Sequence, residues 1–229
     1  MPNANEAKLE VAAPPYAPYR AGAAAPGRTA EYRTKRALDL ALVLLVAPLC
    51  VPVCLIVAAA IKAEDPSGPV FYAQTRLGKD GKPFRIYKFR SMIPGAERML
   101  DKLRHLNELQ GAMFKIKNDP RVTRVGRFIR RTSLDELPQL LNVLRGDMSL
   151  VGPRPPLPSE VDEYTSYELL RLRAKPGCTG LWQVNGRNRL HFAEMVEMDI
   201  DYIQRCSFRL DLKLIFKTLI VMFRAKDAY

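Results

Sequence analysis

Residues 130–155 read RRTSLDELPQLLNVLRGDMSLVGPRP, and they are the most informative stretch of the chain. Two adjacent acids, Asp135 and Glu136, lie between an arginine pair at 130–131 and Arg154, which has a proline on each side. Carboxylates bind divalent metals, and guanidinium groups bind phosphate oxygens through paired hydrogen bonds. The stretch therefore indicates a site for a phosphorylated ligand and a divalent metal.

The same stretch predicts helices and a strand. Apolar residues recur at helical spacing from Leu134 to Leu144, and Met148–Val151 has the composition of a short strand that leads to Arg154. Upstream, the apolar positions of 122–129 predict another helix, rich in arginine. Val70–Thr75 and Phe84–Phe89 are predicted strands, joined by a glycine-containing turn that is typical of a hairpin. Residues 65–229 are thus expected to form one α+β domain, mostly helical, with a small β-hairpin.

The N-terminal part differs in composition. Residues 1–30 are rich in alanine and proline without apolar periodicity, which is typical of a disordered leader. Leu40–Ile61 is then uncharged for 22 residues, long enough to cross a membrane. Pro48 and Pro52 lie in the middle of this run, where each removes a helical hydrogen bond and favours a kink.

Basic residues flank the apolar run on both sides, a pattern that favours keeping both flanks in the cytoplasm. We therefore predict a re-entrant membrane helix over 31–64 with its break near Pro48; a straight span is the alternative. Leu212–Phe223 is apolar with lysines around it, which fits either an interfacial amphipathic helix or an ordinary core helix.

The formal net charge of the chain is +12, which indicates anionic partners: nucleic acid, anionic lipid headgroups or phosphorylated substrates. The four cysteines have no CxxC spacing, and the chain contains two histidines, so a zinc site is not expected. We expect the thiols to be reduced and structural.

Each candidate site residue also has a structural interpretation. Ser133 and Glu136 have the spacing of a capping box, with the acids in the first turn of a helix. Arg154 fits a phosphate clamp on a rigid loop or an exposed turn arginine. Two polar, turn-rich segments, 175–180 and 183–188, could contact a nucleotide through Gln183 and Arg187, or could be simple loops. Trp182 between them could stack on a base, although a single tryptophan is more often packed.

From about residue 33 to 223, the chain resembles the bacterial sugar transferases, the monotopic phosphoglycosyl transferases, in their minimal form. The resemblance covers most of the chain, and Ala47 precedes Pro48 where the family commonly has serine. The matching pieces are the apolar segment with Pro48, Ile86–Met92, Asn118–Arg121, Ser133–Gln139, Gly146–Pro155, Pro176–Gly180, Gln183–Asn188 and Asp211–Lys213.

The resemblance implies transfer of a sugar-1-phosphate from a UDP-sugar to polyprenyl (undecaprenyl) phosphate with release of UMP. This reaction is the first membrane step in assembly of exopolysaccharide, capsule, lipopolysaccharide or another glycoconjugate. The catalytic domain is expected on the cytoplasmic face of the bacterial inner membrane, among anionic lipids, and some members of the family are homodimers.

For the site, the resemblance implies that Asp135 is the nucleophile, forming an aspartyl-phosphosugar intermediate, and that Asp135 and Glu136 hold Mg²⁺. The candidates for phosphate and nucleotide binding are Arg130, Arg154, Arg187, Lys88 and Gln183.

Two functions from other classes use the same positive charge. A nucleic-acid-binding protein would need a recognised motif or clustered aromatics; the sequence shows no such motif and few clustered aromatics, so nucleic acid is not an expected partner. A non-catalytic membrane scaffold would use the apolar segment and its basic flanks, but would leave the pair of acids without a role.

Overall fold

The computed structural model describes residues 29–106, 116, 118–186 and 190–223. The predicted leader lies almost entirely outside these residues. The first element, α1 (Thr29–Glu64), is a continuous helix of 36 residues that contains Pro48 and Pro52. Its 34–64 part is the one described helix that is long and apolar enough to cross a membrane, by length and composition alone.

The predicted hairpin is confirmed. Strands β1 (Phe71–Leu77) and β2 (Pro83–Phe89) pair antiparallel, with Gln74 opposite Ile86. The turn contains a short 3-10 segment, Lys79–Gly81, in which Asp80 has a φ of 57°. Residues 96–106 show helical spacing but form three short pieces rather than one helix: Ala96–Met99, α2 (Leu100–Leu103) and Arg104–Leu106.

The arginine-rich helix α3 (Arg124–Arg131) is also as predicted, and Thr123 caps its first turn by accepting a hydrogen bond from Gly126 N at 2.9 Å. A Cβ atom on Gly126 would lie 1.9 Å from the carbonyl oxygen of Ser91. Glycine is therefore required here, because the helix backbone packs directly on the segment that follows β2. This contact fixes α3 relative to the hairpin.

Among the described residues, the rest of the domain consists of short helices, 3-10 segments and two short strands joined by loops. Strands β3 (Ser149–Val151) and β4 (Gly177–Thr179) pair in parallel. The remaining 3-10 segments are Leu134–Glu136 and Glu168–Arg173. The other helices are α4 (Gln139–Arg145), α5 (Pro158–Val161), α6 (Leu181–Asn185), α7 (Phe192–Arg205) and α8 (Phe208–Phe223).

Both ends of α1 pack on the domain, and its middle does not. Val43 belongs to a core cluster with Ile86 of β2, and Val57 belongs to a second cluster with Phe89 of the same strand. The large apolar residues between them are exposed, among them Leu44, Leu45, Leu49, Leu55 and Ile56. Helix α8 also exposes large apolar side chains, at positions 208, 212, 216, 219 and 220, around one face.

Candidate active site

The two adjacent acids lie in the 3-10 turn Leu134–Glu136, immediately after α3. Ser133 before them has a left-handed conformation with a φ of 57° and no capping hydrogen bond from its side chain, so the capping-box interpretation is wrong. Pro138 ends this turn and precedes α4, because a proline is accommodated just before a helix but not within it. The acids are thus held on a tight, separate turn.

Apolar packing holds the turn that carries the two acids against β2. Leu134 and Leu137 pack against a cluster that contains Phe89 and Ile129. Asn142 of α4 is fully buried and fastens β2 from the other side: it accepts a hydrogen bond from Tyr87 N at 3.1 Å and donates one to Arg85 O at 2.7 Å. These contacts place the side chain that follows Tyr87 beside the acids.

That side chain is Lys88, whose Nζ lies 2.5 Å from Glu136 Oε1. Burial acts to raise the pKa of Glu136, but the Lys88 charge and hydrogen bond, together with Arg154, outweigh it and lower that pKa. Glu136 is therefore ionised. Lys88, predicted only as a phosphate contact, has a carboxylate partner inside the site.

Asp135 has a different environment, with 8% of its surface exposed. Burial raises the pKa of Asp135 to about 6, and the negative charge of Glu136 adds to this rise, while Lys88 and Arg130 act against it. At neutral pH the carboxylate is ionised but poorly solvated. A desolvated carboxylate among cations is suited to attack an electrophile or to bind a metal.

Arg154 lies on a loop that is fixed on both sides. Pro153 and Pro155 are buried, Gly152 N donates to Thr179 O at 2.8 Å, and Gly177 N donates to Pro153 O at 2.9 Å. The Arg154 side chain is partly exposed, and its charge acts on Glu136. Within the described part of the chain, no hydrogen bond or ion pair engages its guanidinium group. The group is thus available for an anionic ligand.

Arg76 of β1 is a second arginine beside this loop, and the sequence analysis missed it. Its Nη1 donates to Pro155 O at 3.1 Å and lies 4.0 Å from Glu160 Oε2. Burial and the neighbouring Arg154 lower the pKa of Arg76 to about 10. An isolated arginine in a strand carries no signal of burial, so only the tertiary contact identifies it.

A buried ion pair also adjoins the Arg154 loop and was not predicted. Arg171 Nη2 lies 2.6 Å from Asp199 Oδ2, and both residues are almost completely buried. Burial raises the pKa of Asp199 to about 6, whereas the charges of Arg171 and, more weakly, Arg154 lower it. Burial acts to lower the pKa of Arg171, but the Asp199 carboxylate and hydrogen bond raise it overall, so the pair is ionic at neutral pH. The pair fixes α7 against the 3-10 segment 168–173.

The remaining predicted residues are brought together only in part. Arg130, on the last turn of α3, is half-buried, and its charge acts on Asp135. Gln183 is not on a loop as expected, because residues 181–185 form α6, and residues 177–179 of the other expected loop form β4. Trp182 is 7% exposed, which confirms packing as its role. Arg187 lies outside the described residues.

The acid pair fits the donor set that Mg²⁺ uses. This ion is commonly held by one or two carboxylates, with substrate phosphates and water completing the octahedron. Asp135 is the principal ligand candidate, because Glu136 is already paired with Lys88. Among the described residues there is no group of three or more His, Cys, Asp or Glu side chains that could hold a metal.

Comparison with known proteins identifies the class to which this fold and site belong. The model of the bacterial sugar transferase family matches residues 30–225, and the chain belongs to that family.

Three relatives indicate the range of that family. Galactosyl transferase CpsE of Streptococcus agalactiae is 46% identical over 82% of this chain and 42% of its own length. Exopolysaccharide production protein ExoY of Rhizobium meliloti is 41% identical over 85% of this chain and 88% of its own. The UDP-glucose:undecaprenyl-phosphate glucose-1-phosphate transferase of Escherichia coli is 42% identical over 85% of this chain and 41% of its own. The chain thus spans about two fifths of the first and third relatives and most of the second. The comparisons give no support to a nucleic-acid-binding protein or a non-catalytic scaffold.

Proposed function

We propose that the protein is a phosphoglycosyl transferase that moves a sugar-1-phosphate from a UDP-sugar to polyprenyl (undecaprenyl) phosphate and releases UMP. The observation that carries this proposal is a buried, ionisable Asp135 placed among cations on a rigid turn. The printed names of the relatives, which include a UDP-glucose donor and an undecaprenyl-phosphate acceptor, supply the substrate classes. The names of other relatives refer to exopolysaccharide production, which supports a role in polysaccharide assembly.

In the first step, a carboxylate oxygen of Asp135 attacks the β-phosphorus of the UDP-sugar. The bond from that phosphorus to the oxygen bridging the two phosphates breaks, and UMP leaves with the electron pair. A phosphate oxygen of the polyprenyl acceptor then attacks the same phosphorus, and the Asp135 carboxylate is released. These two displacements replace a single direct attack of the polyprenyl phosphate on the UDP-sugar, two anions that repel each other strongly.

The cations around Asp135 have separate parts in this proposal. Arg154, on its fixed loop, binds the diphosphate oxygens, and Arg130 balances the charge of Asp135 on the α3 side. Lys88 keeps Glu136 ionised and moderates the rise in the pKa of Asp135. Asp135 and Glu136 would hold Mg²⁺, which would supply positive charge to offset the diphosphate and the leaving UMP.

We further propose that α1 is a re-entrant helix and that the active site lies at the cytoplasmic surface of the membrane. Lys35 near one end of α1 contacts Asp211, and Glu64 at the other end accepts hydrogen bonds from Arg124 N and Val125 N, so both ends attach to one domain. A straight helix would separate Val43 from Val57 by about 21 Å. Their clusters contain strand residues 86 and 89, which lie only about 10 Å apart. A bend near Pro48 would let both ends of α1 reach this one face of the domain, with the exposed apolar middle in the bilayer.

The exposed apolar face of α8 supports an interfacial position for that helix, beside anionic lipid headgroups that its lysines would contact.

The experiment that tests the function is UMP release by the purified protein with Mg²⁺, undecaprenyl phosphate and a panel of UDP-sugars. We expect release with at least one donor, and loss of that release in Asp135→Asn. Glu163→Gln, which removes an exposed carboxylate just after α5, is the matched control and should retain full activity. Absence of UMP release with every donor would contradict the proposal.

A further inference from the structure

Strand β3, which leads into the Arg154 loop, is held by a side chain of the membrane helix. Leu150 N donates a hydrogen bond to Asp39 Oδ1 at 3.0 Å, and Asp39 is 4% exposed. The two residues are 111 positions apart in the chain, so this contact is tertiary and does not belong to any regular ladder. It fixes the backbone four residues before Arg154.

The next residue of the strand is held through a buried tyrosine. The hydroxyl of Tyr202 lies 3.1 Å from Val151 O and 2.7 Å from Asp211 Oδ1, and it accepts a hydrogen bond from Lys35 Nζ at 2.9 Å. Burial and the nearby Asp211 carboxylate raise the pKa of Tyr202, so the hydroxyl remains a donor. Lys35, like Asp39, belongs to α1, and it also pairs with Asp211.

Beyond Val151 the backbone has little freedom to absorb a shift. Gly152 and Pro153 are pinned to β4, and Pro156 O accepts a hydrogen bond from Leu77 N at 3.0 Å. A Cβ atom on Gly152 would lie 2.4 Å from Lys175 O, so the loop also packs tightly against the segment before β4. Because β3 also pairs with β4, a shift of β3 moves the β3–β4 pair and, with it, the loop that carries Arg154.

We propose that Asp39 and Tyr202 are positioning residues for Arg154, and that the seating of α1 on the domain sets where this guanidinium group points. The inference rests on the proposed function, in which Arg154 binds the donor diphosphate. It adds that contacts from α1 help to orient the Arg154 guanidinium group. Neither residue touches the substrate in this scheme; each acts through the backbone of β3.

A double-mutant cycle tests the proposal by separating positioning from general destabilisation. Tyr202→Phe and Asp39→Ala should each lower kcat/KM for the UDP-sugar roughly tenfold, while KM for the polyprenyl phosphate changes less than about twofold. In an Arg154→Gln background the same substitutions should lower the remaining rate by less than about twofold, because their target is gone. An equal fold-loss in both backgrounds, or no loss in the parent protein, would overturn the proposal.

Two further variants sharpen the cycle. Asp39→Asn keeps an oxygen acceptor for Leu150 N, so it should recover most of the activity that Asp39→Ala loses. Tyr167→Phe removes an exposed hydroxyl that donates to Glu197 at 2.9 Å, and it should leave the rate unchanged. If Asp39→Asn loses as much activity as Asp39→Ala, the activity depends on the charge of Asp39 and not on its hydrogen bond to β3, and the proposal is overturned.

Hydrogen exchange provides a readout that does not depend on catalysis. In Asp39→Ala the peptide covering 148–154 should exchange faster, because the Leu150 amide loses its acceptor, while peptides from the hairpin 71–89 should not change. Unchanged exchange at 148–154, or an equal increase in the hairpin, would overturn the positioning role. If the parent protein releases no UMP with any donor, the proposed function fails, and the exchange experiment still decides whether α1 holds β3.

Discussion

Lys88 and Glu136 form an ion pair within the candidate active site, with Nζ and Oε1 2.5 Å apart. The two residues are 48 positions apart, one on the second strand of the hairpin and one on the turn after α3. The pair lowers the pKa of Glu136, and its cation acts against the rise in the pKa of Asp135. Lys88 thus sets the protonation of both acids.

The pH dependence of the reaction follows from this arrangement. Because Asp135 must be ionised to attack, UMP release should increase with pH through a transition near 6. Lys88→Gln removes the charge that opposes protonation, so the transition should move up by roughly one unit, whereas Lys88→Arg should keep it in place. Rates measured between pH 5 and 9 at saturating donor provide the check; an unmoved transition in Lys88→Gln would contradict this role of Lys88.

Asp135→Asn should make the protein more stable while it removes activity. The folded-state pKa of Asp135 lies above the ordinary value of 3.8, so the folded state binds more protons and stability is lost as the pH rises from about 4 to 6. At pH 8 the neutral asparagine should therefore raise stability by ~1–3 kcal/mol, and below pH 4 the gain should disappear. Thermal unfolding of both proteins in detergent at the two pH values measures this. If the variant is less stable than the parent at pH 8, burial of the ionised Asp135 carboxylate does not destabilise the folded state.

Breaking the Arg171–Asp199 pair should be costly. Both side chains are almost fully buried, so Arg171→Met would leave an unpaired carboxylate in the core and should destabilise the protein by ~3–5 kcal/mol. Arg205→Met is the matched control, because its pair with Asp201 is exposed, and it should cost less than about 1 kcal/mol. The unfolding midpoints of the two variants provide the measurement. Equal midpoints would contradict the conclusion that the buried pair contributes more to stability than the exposed one.

Gly126→Ala tests the close packing of α3. The added methyl group would lie 1.9 Å from Ser91 O, so α3 must move, and we expect a loss of ~1–3 kcal/mol together with reduced UMP release. At Gly78 the nearest atom to an added Cβ is 3.3 Å away, so Gly78→Ala should be much milder. The unfolding midpoints and the rates of UMP release of the two variants are to be compared. Equal effects would contradict the close packing of α3, because they would mean that the helix moves without cost.

Local features of the sequence predicted local structure well. The hairpin, α3 and the position of β3 follow from apolar periodicity and turn residues within short windows, and all three are confirmed. The turn of Asp135 was predicted less well. A spacing typical of a capping box suggested a helix start, but the left-handed Ser133 and the following Pro138 place the acids on a 3-10 turn instead.

The partners of the site residues could not be predicted from spacing. Arg76, Arg171 and Asp199 are charged residues, which are usually exposed, and their burial depends on contacts between distant segments. The same is true of Asp39 and Tyr202, whose polar groups meet β3 from α1 and α7. Gln183 was expected on a loop because of the glycine and asparagine that follow it, but a single helical turn forms there.

Whether Asp135 forms a covalent bond with the phosphosugar is the central claim, and intact-protein mass spectrometry tests it most directly. Purified protein would be mixed with Mg²⁺ and its UDP-sugar without acceptor. We predict one equivalent of UMP and a mass increase of one phosphosugar on the peptide that contains Asp135, both absent in Asp135→Asn, with the adduct discharged by undecaprenyl phosphate. UMP release only in the presence of acceptor, with no adduct on the protein, would contradict this account and favour direct attack by the acceptor in a ternary complex.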